Sequence, residues 1–187
     1  MSSPPLPSTL SARADEIAAA ARAILEAEGP DALTMRRLGD EVGMRAPSLY
    51  KHYPHKRALE AALIDIAFAE MGERLHAAVE APGPDGPVGT LLSEYRAVGL
   101  GFPNLYRLAT GPSIDRAALT PGLEAWAGEP FFLATGEPHL AQATWAFAHG
   151  MTILEIEGRF MDDSDLDRTW RAGATAFAGQ LSGARTA

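Results

Sequence analysis

The sequence predicts an all-α fold of about nine helices, with a small N-terminal three-helix domain followed by a larger helical bundle. Three observations support this prediction. Apolar residues recur at three- and four-residue intervals along most of the chain, which is the spacing of an amphipathic helix. No segment alternates apolar and polar residues as a strand does. Glycine and proline residues gather between the periodic segments, where they end helices.

Length and composition restrict the class of protein. The chain has 187 residues and no cysteine. We expect a disordered arm at 1–10, a first domain at 11–55 and a second domain at 56–187. The lack of cysteine excludes disulfides and thiolate chemistry. No apolar run approaches the roughly 18 residues of a transmembrane helix, and the N-terminus lacks the features of a secretory signal, so we expect a cytoplasmic protein.

The first two helices have clear start and stop signals. Ser11 is suited to cap a helix that runs to residue 28 and stops at Gly29-Pro30. Thr34 is suited to cap a second helix over about 35–42. Gly43 then ends this second helix after about two turns.

Helical periodicity continues through most of the remaining chain. The segment 110–137 is the least readable part, and residues 130–135 are either helical or irregular. Asp162-Asp163-Ser164-Asp165 breaks the chain and offers a cap for the last helix. Each of the other predicted helices has an apolar face. These helices lie at about 55–79, 88–100, 103–108, 138–160 and 166–181.

Charge is distributed unevenly along the chain. The net charge is −8 at pH 7, and by itself this value argues against contact with nucleic-acid phosphates. Residues 33–57, however, hold six lysine and arginine residues against two acids, a net +4. Residues 61–187 hold eight basic and sixteen acidic residues, a net −8. A short basic island on an acidic body permits nucleic-acid binding at the island.

The basic island also contains the segment with the most informative pattern. After Gly43, a third short helix begins at Arg45 or Ala46, has Pro47 in its first turn and ends at Tyr53-Pro54. Two short helices joined by a glycine-containing turn are typical of a helix-turn-helix, whose second helix enters the major groove. Spacing alone leaves three roles open: DNA binding, contact with another protein, and a solvated basic face.

Several runs in this region occur at the spacing of one family of DNA-binding proteins. These runs are Ile24–Gly29, Leu33–Gly39, Val42–Tyr53 and Lys56–Leu59. Together they resemble the DNA-binding head of the TetR (tetracycline-repressor-type) family over about residues 12–63. One departure is Leu38-Gly39, where an Ile-Ala pair is commoner in the family. Glycine there should loosen the second helix by up to about 1 kcal/mol relative to alanine.

The resemblance implies a ligand-responsive repressor that binds a palindromic operator in double-stranded DNA as a homodimer. Leu49 matches a core position, and Arg37 is expected to be a solvated charge. By residue type, Tyr50 and Tyr53 are suited to contact phosphates or thymine methyls. The residues that match DNA-contacting positions are Thr34, Arg36, Arg45, Ala46, Pro47, Tyr50, Lys51, His52 and Lys56.

The C-terminal part carries a second, weaker resemblance. The runs Phe102–Arg107 and Trp145–Glu155 are similar to the ligand-binding domains marked by a Trp…His-Gly helix. In such proteins the last two helices pack on their symmetry mates, which implies a dimer interface at about 138–160 and 165–181. The candidate contacts for an unknown, apolar or aromatic effector are Phe102, Tyr106, Trp126, Phe131, Trp145 and His149. For His149, a packed core or interface position is the alternative.

Two other classes of function stay open at this stage. A helical-bundle enzyme is disfavoured because the sequence has no His-Glu-x-x-His or Gly-x-Ser-x-Gly signature and no pair of Glu-x-x-His motifs. We therefore predict no enzyme activity, no cofactor and no metal site. A regulator that binds DNA without sensing a ligand, or one that activates, also fits a helix-turn-helix.

Overall fold

The computed structural model describes residue 5, residues 11–112 and residues 114–184, with side chains up to residue 180. Apart from Pro5, the expected disordered arm at 1–10 lies outside the described residues. The described residues form nine α-helices and no strand, which confirms the predicted all-α class. The helices are α1 (Ala12–Glu28), α2 (Met35–Glu41), α3 (Ala46–Leu49), α4 (Lys56–Glu80), α5 (Gly86–Gly101), α6 (Pro103–Thr110), α7 (Leu123–Thr135), α8 (Pro138–Ile156) and α9 (Leu166–Ala184), with a short 3₁₀ helix at Arg116–Ala118.

The first two helices begin and end where the sequence predicts. Ser11 Oγ accepts the N–H of Ala14 at 3.2 Å, and Thr34 Oγ1 accepts the N–H of Arg37 at 3.1 Å. Each cap satisfies an N–H group that has no partner inside its own helix. Gly43 follows α2 with a φ of 64°, a conformation that glycine adopts without steric cost. These start and stop signals are confirmed.

Contacts divide the chain into two compact units. The first unit comprises Met1–Ala69 and Phe102–Glu124, and the second comprises Glu70–Gly101 and Ala125–Ala187. Helix α6 therefore groups with α1, α2, α3 and the first part of α4. The functional division between residues 55 and 56 that the sequence suggests stays a prediction.

The first unit has one hydrophobic core to which α1, α2, α3, α4 and α6 all contribute. Leu49 is the buried residue of α3, as the resemblance implies, and Leu105 is the residue of α6 in this core. Burying a leucine side chain contributes about 1.5–3 kcal/mol. A helix of four residues is not stable in isolation, so burial of Leu49 is what holds α3 in place.

Tyr53 belongs to the same core. Its side chain is 3% exposed, and its hydroxyl donates a hydrogen bond to the backbone carbonyl of Ala14 at 3.1 Å. Burial, with a smaller contribution from the charge of Asp15, raises the pKa of this phenol. The sequence-based expectation that Tyr53 contacts DNA is therefore wrong. Tyr53 lies four residues after Leu49, which in a helical turn is the buried side.

Helices α5, α8 and α9 pack together in the second unit. Arg96 of α5 pairs with Glu155 of α8 at 2.9 Å and with Asp167 of α9 at 2.6 Å. Phe147 of α8 lies so close to Gly173 of α9 that a Cβ at this glycine would come within 2.3 Å of the ring. One ion-pair network and one close approach at a glycine thus connect the three helices.

Helix α7 is the element that the sequence does not reveal. It contains Pro130 in its interior, and proline removes the N–H that would bond the carbonyl four residues earlier. That carbonyl belongs to Trp126, and His76 Nε2 lies 3.1 Å from its oxygen. Because a carbonyl oxygen only accepts, Nε2 carries the proton and donates. A buried histidine from α4 therefore replaces the bond that Pro130 cannot make.

Helix α8 ends at Ile156, so the predicted end at Phe160 is wrong by four residues. Gly158 has a φ of 60°, and the N–H of Arg159 donates to the carbonyl of Leu154 at 2.9 Å. This pattern is a Schellman motif, which ends a helix at a glycine. The predicted cap of the last helix is confirmed, since Asp165 accepts the N–H of Arg168 at 2.9 Å.

Within the described residues, no helix combines the length and the apolar character that a membrane span requires.

Replacing Tyr53 with phenylalanine should lower the free energy of unfolding by about 1 kcal/mol, because the carbonyl of Ala14 loses its donor inside the core. Chemical denaturation measures this change. Tyr50→Phe is the matched control, since Tyr50 is 46% exposed and should leave stability unchanged. Equal effects of the two substitutions would contradict a specific role for the Tyr53 hydroxyl.

His76→Phe should lower the free energy of unfolding by about 1–3 kcal/mol, because the Trp126 carbonyl then loses the hydrogen bond from the imidazole. Pro130→Ala returns a backbone N–H to that carbonyl, so it should rescue the His76→Phe variant. A double-mutant cycle in urea measures the coupling between the two positions and removes the general effect of proline on helix stability. If the effects of the two substitutions on stability are additive, then the His76 imidazole and a backbone N–H at position 130 do not replace one another as donors to the Trp126 carbonyl.

Candidate nucleic-acid interface

The turn between α2 and α3 sets the distance between the two helices of the motif. The N–H of Met44 donates to the carbonyl of Gly39 at 2.8 Å. Gly39 is buried, and a Cβ there would lie 3.0 Å from the carbonyl oxygen of Met44. Gly39 therefore permits the close approach of the turn to α2. This packing role offsets the loss of helix stability that the sequence predicts for glycine at this position.

The α-helical part of the third helix is shorter than the sequence suggests. It covers Ala46–Leu49, and the N–H groups of His52 and Tyr53 both donate to the carbonyl of Leu49 in the turn that follows. On the outer side, Tyr50 and the side chains near it are open to solvent. The predicted DNA-contacting residues are exposed at Thr34, Arg36, Arg45, Ala46, Pro47, Tyr50 and Lys51, and half-buried at His52 and Lys56.

The cations of the basic island fall into two groups. Arg37 pairs with Glu28 at 2.6 Å and with Glu41 at 2.7 Å. The hydrogen bond to Glu28, and to a smaller extent the one to Glu41, raises the pKa of the Arg37 guanidinium. Its charge is therefore already matched by two acids. By contrast, within the part of the chain that the structure describes, no ion pair or side-chain hydrogen bond involves Arg36, Arg45 or Lys51.

The start of α4 lies directly after this surface. His55 Nδ1 accepts the N–H of Ala58 at 3.0 Å, so His55 caps α4. Lys56 Nζ lies 3.5 Å from both the carbonyl oxygen of Pro30 and a carboxylate oxygen of Glu60, at the long end of such contacts. The sequence analysis did not identify His55 as a cap; its position just before the helix, after Pro54, was the available signal.

The six candidate effector contacts are distributed over both units. Phe102 and Tyr106 belong to the first unit, whereas the other four belong to the second. Trp126 is buried and stacks on His76, with ring centroids 4.8 Å apart. Phe131 is also buried and meets the ring of Tyr95 edge-on at 5.5 Å.

The other two candidates form a pair on α8. The rings of Trp145 and His149 stack with centroids 5.8 Å apart and an interplanar angle of 17°. Trp145 is 48% exposed, and His149 is half-buried. Burial lowers the pKa of the His149 imidazole. This pair is therefore an apolar surface whose histidine favours the neutral form.

Two short helices that meet at a glycine turn, with unpaired cations on both sides of the second helix, define a helix-turn-helix DNA-binding domain. Residues 17–63 match the family model of bacterial regulatory proteins of the tetR family. An uncharacterized HTH-type transcriptional regulator of Mycobacterium tuberculosis (strain ATCC 25618 / H37Rv) is 28% identical over 168 residues, which are 82% of this chain and 74% of that protein.

Residues 17–63 are thus a helix-turn-helix domain of the tetR type, and most of the chain is similar to a transcriptional regulator. This family and the M. tuberculosis relative are regulators and not enzymes, which confirms the sequence-based exclusion of an enzyme.

Solved structures share this fold over nearly the whole chain. A protein of unknown function from Rhodococcus sp. RHA1 has a TM-score of 0.77 and 22% identity, over 95% of this chain and 96% of that one. A TetR variant from Acinetobacter baumannii AYE in complex with minocycline has a TM-score of 0.65 and 20% identity, over 92% and 98%. The Streptomyces coelicolor TetR family protein ActR in complex with (S)-DNPA has a TM-score of 0.65 and 23% identity, over 91% and 97%. The predicted helix-turn-helix followed by a helical C-terminal domain is confirmed as the fold.

Arg45→Ala should weaken DNA binding by about 1–3 kcal/mol and relax sequence preference, because this residue begins the recognition helix. Arg36→Ala should weaken binding to all sequences and lower the salt slope by about 1, as expected for a phosphate contact. Fluorescence anisotropy at several salt concentrations measures both effects. Arg159→Ala removes the same charge from an exposed position of the second unit and is the control. An equal effect of Arg159→Ala would contradict assignment of the interface to α2 and α3.

Proposed function

We propose that this regulator is a ligand-responsive repressor that binds a palindromic operator as a homodimer and that a small-molecule effector releases from DNA. The observation that carries the proposal is the outer edge of α3. There Arg45 and Lys51 are exposed, and no acid among the described residues pairs with either of them. Cations without acidic partners are available to base edges and phosphates.

The proposed operator contacts divide by chemistry. Arg45 is suited to the paired acceptors of guanine, and Ala46 and Pro47 are suited to apolar contact with a thymine methyl. Lys51 and His52 complete the proposed base-facing edge. The residues proposed to contact phosphate are Thr34, Arg36, Tyr50 and Lys56. Because the chain as a whole is acidic, we expect non-specific DNA binding to be weak and strongly salt-dependent.

We propose that the dimer forms through α8 and α9, over the predicted segments 138–160 and 165–181. Small or apolar residues form one outward stripe on α8 at the spacing i, i+3, i+7 and i+11: Ala143, Ala146, Gly150 and Leu154, of which Gly150 is half-buried and the others are exposed. Helix α9 presents Ala172 and Ala176, both exposed. Small residues on two adjacent helices allow a second copy to approach closely and bury Leu154.

We propose that the effector is an apolar or aromatic molecule. Support comes from the aromatic residues of the second unit: Trp126 and Phe131 are buried, and Trp145 stacks on His149. Trp145, His149 and Gly150 on α8 also carry the resemblance to the Trp…His-Gly domains. Two TetR-type neighbours were solved with small molecules, one with minocycline and one with (S)-DNPA. We retain Phe102 and Tyr106 as proposed contacts.

The proposed release is a shift between two populations of the dimer. In the binding state, the two α3 helices read half-sites roughly 34–36 Å apart. Effector binding favours a state in which α4 is displaced and this separation no longer matches successive major grooves. A coupling of about 1–3 kcal/mol between effector and operator suffices for a working switch.

Selection of duplexes from a random library tests the proposal. We expect a palindrome with half-sites one helical turn apart, bound in a 2:1 ratio by sedimentation velocity. Ala146→Glu should convert the protein to a monomer and weaken operator binding, because a charged side chain then occupies the close contact. Ala97→Glu is the matched control, since Ala97 is an exposed alanine of α5 outside the proposed interface. A dimer that survives Ala146→Glu would contradict the proposed α8–α9 interface.

The same assay tests the effector. Compounds with aromatic or apolar bodies are first screened by thermal stabilisation of the protein, and those that stabilise it are added to the protein–operator complex. A stabilising compound that also releases the duplex supports the proposal. Stabilising compounds that leave the complex intact would indicate a regulator that senses no ligand through this switch.

A further inference from the structure

The C-terminal end of α1 contacts the start of α6 through residues on one face. Arg22, Leu25 and Glu26 are spaced i, i+3 and i+4, so they lie together on the helix. The guanidinium carbon of Arg22 lies 4.0 Å from the centroid of the Phe102 ring, a cation–π distance. The carbonyl of Leu25 accepts a hydrogen bond from the side-chain amide of Asn104 at 3.0 Å.

Glu26 supplies the cap of α6. One carboxylate oxygen accepts the N–H of Leu105 at 2.6 Å, and the other accepts the N–H of Asn104 at 3.2 Å. The first N–H groups of a helix have no partner within it, and the positive end of the helix dipole favours a negative charge. Helix α6 has no side-chain cap from Phe102, the residue before it. Its capping carboxylate therefore comes from α1, 79 residues away.

Burial strengthens this contact. Leu105, whose N–H bonds Glu26, is 3% exposed and belongs to the core shared by α1, α3 and α4. Leu108, one turn later, also packs against that core. The chain passes from the second unit to the first between Gly101 and Phe102. Phe102, the first residue of this second part of the first unit, is also where the contacts with α1 begin.

We propose that Glu26 is a positioning residue for operator binding, because its carboxylate fixes α6 to the helix-turn-helix head. The orientation of α3 then depends on the chain segment that leads into α6 at Phe102. When the cap is lost, the helix-turn-helix head is able to adopt a second position. In that second position the two heads of a dimer no longer require one fixed half-site separation. This inference rests on the proposed function, since it assumes a dimer that reads two half-sites.

The experiment compares Glu26→Gln with Glu16→Gln. Both remove one negative charge from α1 and keep the size of the side chain, but Glu16 is exposed and pairs with Arg13 of the same helix. Three duplexes are used: the palindrome that the wild type selects from a random library, and the same palindrome with one base pair inserted or deleted at its centre. Fluorescence anisotropy gives the three Kd values for each protein. The Kd for each altered duplex divided by the Kd for the palindrome measures discrimination of half-site spacing.

We expect Glu26→Gln to lose at least about fivefold of this discrimination, while Glu16→Gln keeps it. Amide hydrogens at the start of α6 should also exchange faster in Glu26→Gln, with α8 unchanged. A merely structural role would reduce the folded fraction and weaken all three affinities by one factor. An unchanged ratio would therefore overturn the inference.

Two further outcomes are distinguishable. If Glu26→Gln is unfolded at the assay temperature, Glu26→Asp is measured instead, since it keeps the charge but shortens the side chain by one methylene and draws the carboxylate away from the two N–H groups of α6. It must show a loss of discrimination for the inference to stand. If the wild type binds none of the three duplexes better than unrelated DNA, the proposed function fails and the inference fails with it.

Discussion

The DNA-binding surface depends on two residues that anchor the short helix α3 in the core. Leu49 is buried, and four residues later the Tyr53 hydroxyl bonds the carbonyl of Ala14 in α1. A helix of four residues has too few hydrogen bonds to persist alone, so its orientation comes from these inward contacts. The outward side is then free to present Arg45 and Lys51 to solvent. Affinity for DNA is thus tied to the packing of the first unit.

Pairing decides which cations of the basic island are available. Arg37 shares its charge with Glu28 and Glu41, which agrees with its expected role as a surface charge, whereas the charge of Arg45 has no acidic partner among the described residues. The remaining chain is acidic and repels phosphate. This distribution favours approach of DNA to one edge of the molecule over adsorption along its whole surface.

Groups from distant parts of the chain satisfy backbone atoms that local structure leaves without partners. Glu26 accepts the N–H groups at the start of α6, and His76 donates to the Trp126 carbonyl, to which Pro130 cannot donate. Buried backbone groups must be paired, so each of these long-range bonds holds two helices in one arrangement. In the first case the two helices are α1 and α6, on which the position of the head depends in our proposal.

The sequence by itself determined the features that depend on a few neighbouring residues. Ser11 and Thr34 cap helices, and Gly43 ends one, because capping and φ preferences act within about four residues; the helix-turn-helix follows from that local pattern. Tertiary structure alone decided that Tyr53 faces the core, that Arg37 also pairs with Glu28 and that α6 groups with the head. It also allowed α7 to run through Pro130. Each of these outcomes depends on contacts between residues 9 to 79 positions apart, and such contacts form only when the chain has folded.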